Sequence, residues 1–250
     1  LAHLAAAGVD AAATPYAPAG VRLARTCPPR DLPGFAEGWF FVQDEASQIA
    51  TEVLGAEPSE TVIDLCACPG GKSFGAAVRM ENRGRVLSFD LHASKLSLIE
   101  SGAARLGLTC ITAAEHDATV PDPALSALAD RVICDVPCSG LGVLSKKPDL
   151  RYKDLRAADE LPALQSAILA NAADCVRPGG VLLYSTCTVN PAENEAVTDA
   201  FRAARPDFTP EDFTVGALAS EAGRLTLFPH RHGTDGFYLA KFRRCGKEEA

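Results

Sequence analysis

No stretch of this 250-residue chain approaches the ~18 consecutive apolar positions that a membrane-spanning helix needs. The longest apolar runs are strand-sized, such as that around Val181-Leu182-Leu183. The opening LAHLAAAG lacks a basic segment and a cleavage pattern, so it does not read as a secretory leader, and a first residue other than methionine suggests part of a longer protein. Positive charge is scarce: 24 Lys and Arg against 32 Asp and Glu leave a net −8, which argues weakly against a general nucleic-acid binder but not against a local basic patch. Repeats are absent, and low complexity is confined to the alanine-rich opening. An even disulfide framework is missing too, since the nine cysteines lie at scattered spacings; a reducing, cytoplasmic setting is expected. Apolar material is ample. At 47% hydrophobic and 22% charged, the chain can offset the entropy of ordering and build one sizeable core.

Strand-like and helix-like segments alternate over most of the length. Thr61 to Leu65 is a short apolar run ending in a Pro-Gly-Gly turn, and Arg85 to Asp90 repeats the pattern and stops on an acid. Leu108 to Ala113, Arg131 to Asp135 and Val181 to Cys187 supply three more strand candidates. Between them, Leu96, Ile99, Ala103 and Leu106 mark one helical face. Leu161, Leu164, Ile168 and Ala172 mark another, with Pro178-Gly179-Gly180 expected to stop it. Ala192 to Ala204 reads as a further helix and Gly236 to Phe242 as a closing edge strand. This order predicts an α/β fold with a mostly parallel sheet covered on both faces, and ligands at the carboxyl ends of its strands. Residues 1–45 fit no such unit; they hold five of the seventeen prolines and read as a linker or the tail of another domain.

The chemically unusual residues fall at those strand ends. Asp64 to Lys72 (DLCACPGGK) places a Gly-Gly turn at a helix start, where backbone N–H groups are free and a ligand can approach closely. It is neither the G-x-G-x-x-G pattern nor a P-loop, and a plain turn is the bland alternative. Cys66 and Cys68 could share a face, but no second Cys or His pair lies at a ligand-like spacing, so no metal is expected. Asp90 suits a ribose, because one carboxylate can accept from both hydroxyls; Asp117 and Asp135 end the next units. Each acid alone could be an ordinary turn residue, but three in succession describe a nucleoside-containing cofactor across the sheet edge. Cys138 and Cys187 stand at the same edge, 49 residues apart in sequence yet plausible neighbours in space, as two thiols or as a disulfide. Cys27, Cys110, Cys134, Cys175 and Cys245 read as small buried hydrophobes. Lys146, Lys147, Arg151, Lys153 and Arg156 outnumber Asp149 and Asp154 and form a candidate phosphate contact or a solvated loop.

Three blocks, DLCACPGGK, DVPCSGLG and YSTCTVNPAENE, resemble the signature motifs of the RNA cytosine-C5 methyltransferases, the Nop2/Sun/RsmB family. The resemblance extends from Val42 to Gln48, before the fold, to Phe228-Pro229-His230 and Thr234 to Phe237 at its end, covering roughly residues 20–244. KKPDLRYK after the second block resembles the bacterial enzymes that modify small-subunit ribosomal RNA. Those relatives carry an N-terminal helical RNA-binding domain that is missing here. The resemblance implies a Rossmann-like class I fold with a seven-stranded sheet, residues 46–245 as catalytic domain and 1–45 as the tail of an upstream RNA-binding subdomain. It implies S-adenosyl-L-methionine as cofactor, with Cys66, Ala67, Cys68, Pro69, Gly70, Gly71 and Lys72 around it, Asp90 at the ribose and Asp117 by the adenine. Asp135 would lie where the methionine moiety meets the target base, Cys187 would be the nucleophile, and Cys138 would help release product. The family usually has Ala where Cys68 stands, a small change that opens a site for oxidation. The implied partner is a single-stranded or looped stretch of ribosomal RNA, met by a monomer with no membrane or metal involvement. Transfer RNA as substrate, Cys138 as nucleophile (as in the DNA cytosine-C5 enzymes) and a non-catalytic assembly protein are the rival readings.

Overall fold

Two hydrophobic layers sandwich the sheet in the computed structural model, which describes residues 1–152 and 159–246. The chain opens with α1 (Ala2–Ala6), the hairpin β1 (Ala11–Ala13) and β2 (Val21–Leu23), and α2 (Glu45–Leu54). The alternating part follows as β3 (Thr61–Asp64), α3 (Gly71–Arg79), β4 (Arg85–Asp90), α4 (Ala93–Leu106), β5 (Ile111–Glu115), β6 (Ala129–Asp135), α5 (Leu161–Cys175), β7 (Val176–Thr186) and α6 (Glu195–Ala204). The end comprises β8 (Phe208–Pro210), β9 (Thr214–Val215), β10 (Leu218–Ala219), β11 (Arg224–Leu227), α7 (Pro229–His232) and β12 (Phe237–Arg244). Seven strands run in the order β11-β12-β7-β6-β3-β4-β5, with β8 attached to β12. The pairs from β5 through β7 are parallel; β12 is antiparallel to β7, β11 and β8. This is the Rossmann-like class I methyltransferase arrangement that the motifs implied.

Alternation along the strands explains the two layers. Ile63, Val132, Cys134, Leu182 and Tyr184 point to the α5 and α6 side, whereas Val62, Ile133, Leu183 and Leu239 point to the α2 and α3 side. With both sides covered, these strands read as continuous apolar runs. Residues 1–44 lie against this body. The Glu45 carboxylate accepts from the N–H groups of Tyr16 (2.7 Å) and Ala17 (3.0 Å), and Arg105 donates to the carbonyls of Phe35 (2.8 Å) and Phe40 (3.0 Å).

Several expectations are corrected. The segment Gly236 to Phe242 is not an edge: β12 runs inside the sheet, Tyr238, Leu239 and Ala240 are fully buried, and β11 is the edge. β11 reads Arg-Leu-Thr-Leu, too polar and short to stand out. Pro178-Gly179-Gly180 does not stop the helix; α5 already ends at Cys175, and the triplet bulges within β7, where Ala129 pairs Val176 but Arg131 pairs Val181. Gly179 has φ +79° there. The third strand starts at Ile111, because the Asn82 side chain captures the N–H groups of Thr109 (2.8 Å) and Cys110 (3.0 Å) and draws them into a turn. Helix α6 begins at Glu195 rather than Ala192, and on α5 Leu164 faces solvent while Leu169 and Ala173 are buried. Cys134 and Cys175 are buried, but Cys27, Cys110 and Cys245 are only partly so.

One buried acid sits under the sheet edge. Asp64 is 1% exposed; its Oδ2 accepts from Ser73 Oγ (2.8 Å), which accepts from Ser88 Oγ (2.8 Å), and its Oδ1 has no partner among the described residues. Burial pushes its pKa up to about 6 despite the Ser73 hydrogen bond and nearby Lys72. A raised folded pKa means that the native state holds the extra proton between about pH 4 and 6, so this group's contribution to stability falls as pH rises through that window. Measured by urea unfolding against Asp64→Asn, wild type is expected to lose about 3 kcal/mol at most between pH 4 and 6, and nothing further above it. A difference that is flat with pH would contradict the shift.

Candidate active site

The parallel register delivers the ends of β3, β4, β6 and β7 to one edge. After β3 the chain turns through Cys66–Gly70 into α3, with Ala67 N–H donating to Phe89 O (2.8 Å) and Gly70 N–H to Ala67 O (2.6 Å). Gly70 has φ +110°, and a Cβ there would lie 2.5 Å from the Phe74 ring, so only glycine serves. Ala67 and Gly70 are buried and Pro69 is exposed. Asp90, at the end of β4, accepts from Cys68 N–H on Oδ2 (3.3 Å) and from His92 N–H on Oδ1 (3.1 Å). Each oxygen is engaged once, which leaves lone pairs for two hydroxyls. A glycine turn beside such a carboxylate fits a ribose-bearing cofactor.

Lys72 leaves this loop for the next. Its ammonium lies 2.6 Å from Asp135 Oδ2, 3.4 Å from Ser47 Oγ of α2, and 5.3 Å from the centroid of the Phe237 ring. Ser185 Oγ donates to Asp135 Oδ1 at 2.7 Å. Asp135 is thus oriented from both sides, by a cation and by the neighbouring strand.

The two motif cysteines meet. Cys138 Sγ and Cys187 Sγ are 3.2 Å apart, both free, a thiol–thiol hydrogen bond and not a disulfide, which would need ~2.05 Å. Either thiol can donate; with Cys138 as the donor, the bond holds Cys187 below the ordinary thiol range and pushes Cys138 well above it. Lys72 and Lys147 help lower Cys187, while burial and Asp135 oppose them. Gly142 N–H donates to Cys187 O (3.0 Å), and a Cβ on Gly142 would lie 1.9 Å from Gly236 O, so this loop packs backbone to backbone.

Not every candidate joins this group. Asp117 lies at the edge beyond β5 but is exposed and bound to its own turn, its Oδ1 accepting from Thr119 N–H (2.9 Å) and Oγ1 (2.6 Å); these bonds hold its carboxyl below the usual range. A cavity of about 300 Å³ borders that turn, lined by Leu65, His116, Ala118, Leu125 and Asn171, away from both cysteines. Cys66 is pushed up by burial and by Asp64, and Cys68 is pushed up to about 11 by burial and by Asp90. The Cys68 thiol, 3.4 Å from Lys95 O, is therefore almost wholly un-ionised at neutral pH, which works against oxidation there. Lys146 is bound to Asp44 and, at 2.8 Å, to Asp235, so it pins three segments together. Lys153 and Arg156 lie outside the described residues. Ser47, Ser185 and Phe237 lie within the motif segments but are given no role there; they enter because α2, β7 and β12 converge on Lys72 and Asp135.

Residues 51–243 match the model of the family described as 16S rRNA methyltransferase RsmB/F. The chain belongs to the RsmB/F family. The chain is 42% identical over 238 residues to the probable ribosomal RNA small subunit methyltransferase B of Synechocystis, covering 91% of this chain and 53% of that one. It is 34% identical to ribosomal RNA small subunit methyltransferase F of Escherichia coli, covering 83% and 45%. It thus spans about half the length of the curated relatives it matches. Among solved structures, PH0851 superposes with a TM-score of 0.90 at 32% identity over 97% of this chain and 56% of that one. NSun6 from Pyrococcus horikoshii, determined with SFG, gives 0.78 at 29% identity over 90% and 59%. RsmB/F proteins are S-adenosylmethionine-dependent methyltransferases.

The sulfur contact makes a direct expectation for this RsmB/F chain. In Cys138→Ala, Cys187 loses the donor that holds it down, so its alkylation by iodoacetamide, followed by peptide mass spectrometry, should move to higher pH. An unchanged pH profile would show that Cys138 does not act on Cys187.

Proposed function

We propose that this chain transfers a methyl group from S-adenosyl-L-methionine to C5 of a cytosine in small-subunit ribosomal RNA, with Cys187 attacking C6 of the base. The observation that carries the reading is the 3.2 Å contact of the two thiols beside the Lys72–Asp135 pair. C5 of cytosine is too weak a nucleophile to accept a methyl unaided. Attack of the Cys187 thiolate on C6 converts the ring to an enamine whose C5 is nucleophilic. A hydrogen bond donated by Cys138 and the nearby Lys72 favour the thiolate form of Cys187. Asp135, oriented by Lys72 and Ser185, would accept from the exocyclic amino group of the base and so fix how the ring is presented. A base then takes the C5 proton, the C5–H electron pair restores the C5=C6 double bond, and the Cys187–C6 bond breaks to return the Cys187 thiolate; Cys138 is the residue assigned to help that release.

The cofactor's sulfonium supplies an electrophilic methyl group when bound. The turn Cys66 to Lys72 would hold its amino-acid end and Asp90 its ribose, with Asp117 assigned to the adenine. Residues 46–245 form the catalytic unit in this reading, and 1–45 the tail of an upstream RNA-binding subdomain. The substrate base must leave its stack to reach the thiols, so single-stranded or looped ribosomal RNA in the cytoplasm is the fitting partner.

Cofactor binding is checked by calorimetry: Asp90→Ala should weaken S-adenosylmethionine by about 1–3 kcal/mol, the cost of hydrogen bonds left unmade. The covalent assignment is checked on denaturing gels. Cys187→Ser should neither methylate nor form an RNA adduct, whereas Cys138→Ser should methylate, stall, and leave a cofactor-dependent shifted band. The reverse pattern would make Cys138 the nucleophile, and no adduct in either variant while wild type turns over would remove the covalent route.

A further inference from the structure

Behind the two thiols lies a carboxylate that the reading above does not use. Glu193, in the loop between β7 and α6, is 0% exposed. Among the described residues its partners are all neutral donors. Ser139 gives Oε2 its backbone N–H (2.8 Å) and Oε1 its hydroxyl (2.6 Å), Gln165 Nε2 binds Oε2 (3.0 Å), and Asn190 Nδ2 binds Oε1 (3.0 Å). The backbone is fastened as well, Tyr184 OH donating to Glu193 O at 2.6 Å.

The donors come from the two cysteine loops and the helix behind them. Ser139 follows Cys138, Gln165 on α5 also donates to Pro137 O (2.9 Å), and Asn190 lies three residues beyond Cys187. Ser139 Oγ is further joined to Thr188 Oγ1, next to Cys187, at 2.8 Å. The pairs Cys138–Cys187 and Ser139–Thr188 therefore repeat the same 49-residue offset, side by side. Burying a charge without a cation is costly, and it persists only where several donors converge on it. A buried charge in such a net gives the loops one arrangement, since a shift of either strands the carboxylate.

We propose that Glu193 is a positioning residue that locks the Cys138 loop onto the Cys187 loop and thereby fixes the sulfur-to-sulfur contact on which thiolate supply and product release depend. A carboxylate is needed because both oxygens must accept. Glutamine keeps the size but turns one acceptor into an NH₂ group facing the Ser139 and Gln165 donors or the Ser139 and Asn190 donors. The release part rests on the cysteine roles proposed above; the thiol geometry does not.

Two measurements separate those parts. Cys187 is faced by Cys138, Asp135, Lys72 and Lys147, none of which is itself substituted in Glu193→Gln or in Ser139→Ala. In the 250-residue protein without RNA or cofactor, alkylation of Cys187 by iodoacetamide should move to higher pH in both variants, toward the Cys138→Ala profile, with the thermal midpoint and S-adenosylmethionine affinity near wild type. With RNA and cofactor, Glu193→Gln should release its adduct about 10–100-fold more slowly than wild type at an unchanged KM for RNA, the scale of a misplaced reacting group. If Glu193→Gln does not fold, Ser139→Ala, which removes one bond to Glu193 and the bond to Thr188, decides. Folded variants with a wild-type alkylation profile would overturn the proposal. A shifted profile in a protein whose wild type never methylates RNA would uphold the lock and overturn the proposed reaction instead.

Discussion

The parallel pairing of β6 with β7 is the constraint on which the site depends. It sets Asp135 opposite Ser185, and the two chains keep step after the strands end, so that Cys138 reaches Cys187 and Ser139 reaches Thr188. Parallel strands need a crossover, here α5, and that helix carries Gln165 back beneath the loops it connects. The pair is packed on both faces, so a slip of one residue in either strand would exchange the side chains fitted to the two layers.

Charge at this edge is arranged sparingly. Asp64, Asp135 and Glu193 lie under or beside the thiols, but among the described residues only Asp135 has a cation within bonding distance, Lys72. Glu193 relies on neutral donors and Asp64 on one hydroxyl. The lysine therefore acts on two groups at once, orienting Asp135 and helping to hold Cys187 down. Removing it would leave the acids to raise the thiol, which is why a loop assigned to the cofactor also belongs to the chemistry.

Much of the fold was legible because its strands and helices obey simple periods. The runs at Val62-Ile63, Val132-Ile133 and Leu182-Leu183 are apolar on both faces, and Ile99 and Ala103 mark the inner side of α4. What escaped was where polar side chains intervene. Asn82 displaced the start of β5, a Pro-Gly-Gly bulge replaced an expected helix stop, and β11 was too polar to be seen. Of the two glutamates in the motif after Cys187, Glu195 only opens α6, and the buried Glu193, two residues earlier, looks no different in a row of letters.

The sequence by itself determined the alternation of elements, the placing of acids and thiols at strand ends, and the family to which the motifs belong, because each is written in residues close along the chain. Tertiary structure alone decided that Lys72 meets Asp135 across 63 residues, that Cys138 meets Cys187 across 49, and that Glu193 rather than Glu195 joins their loops. Those contacts follow from strand order and register, which arise from packing of the whole sheet and are not encoded in any single segment.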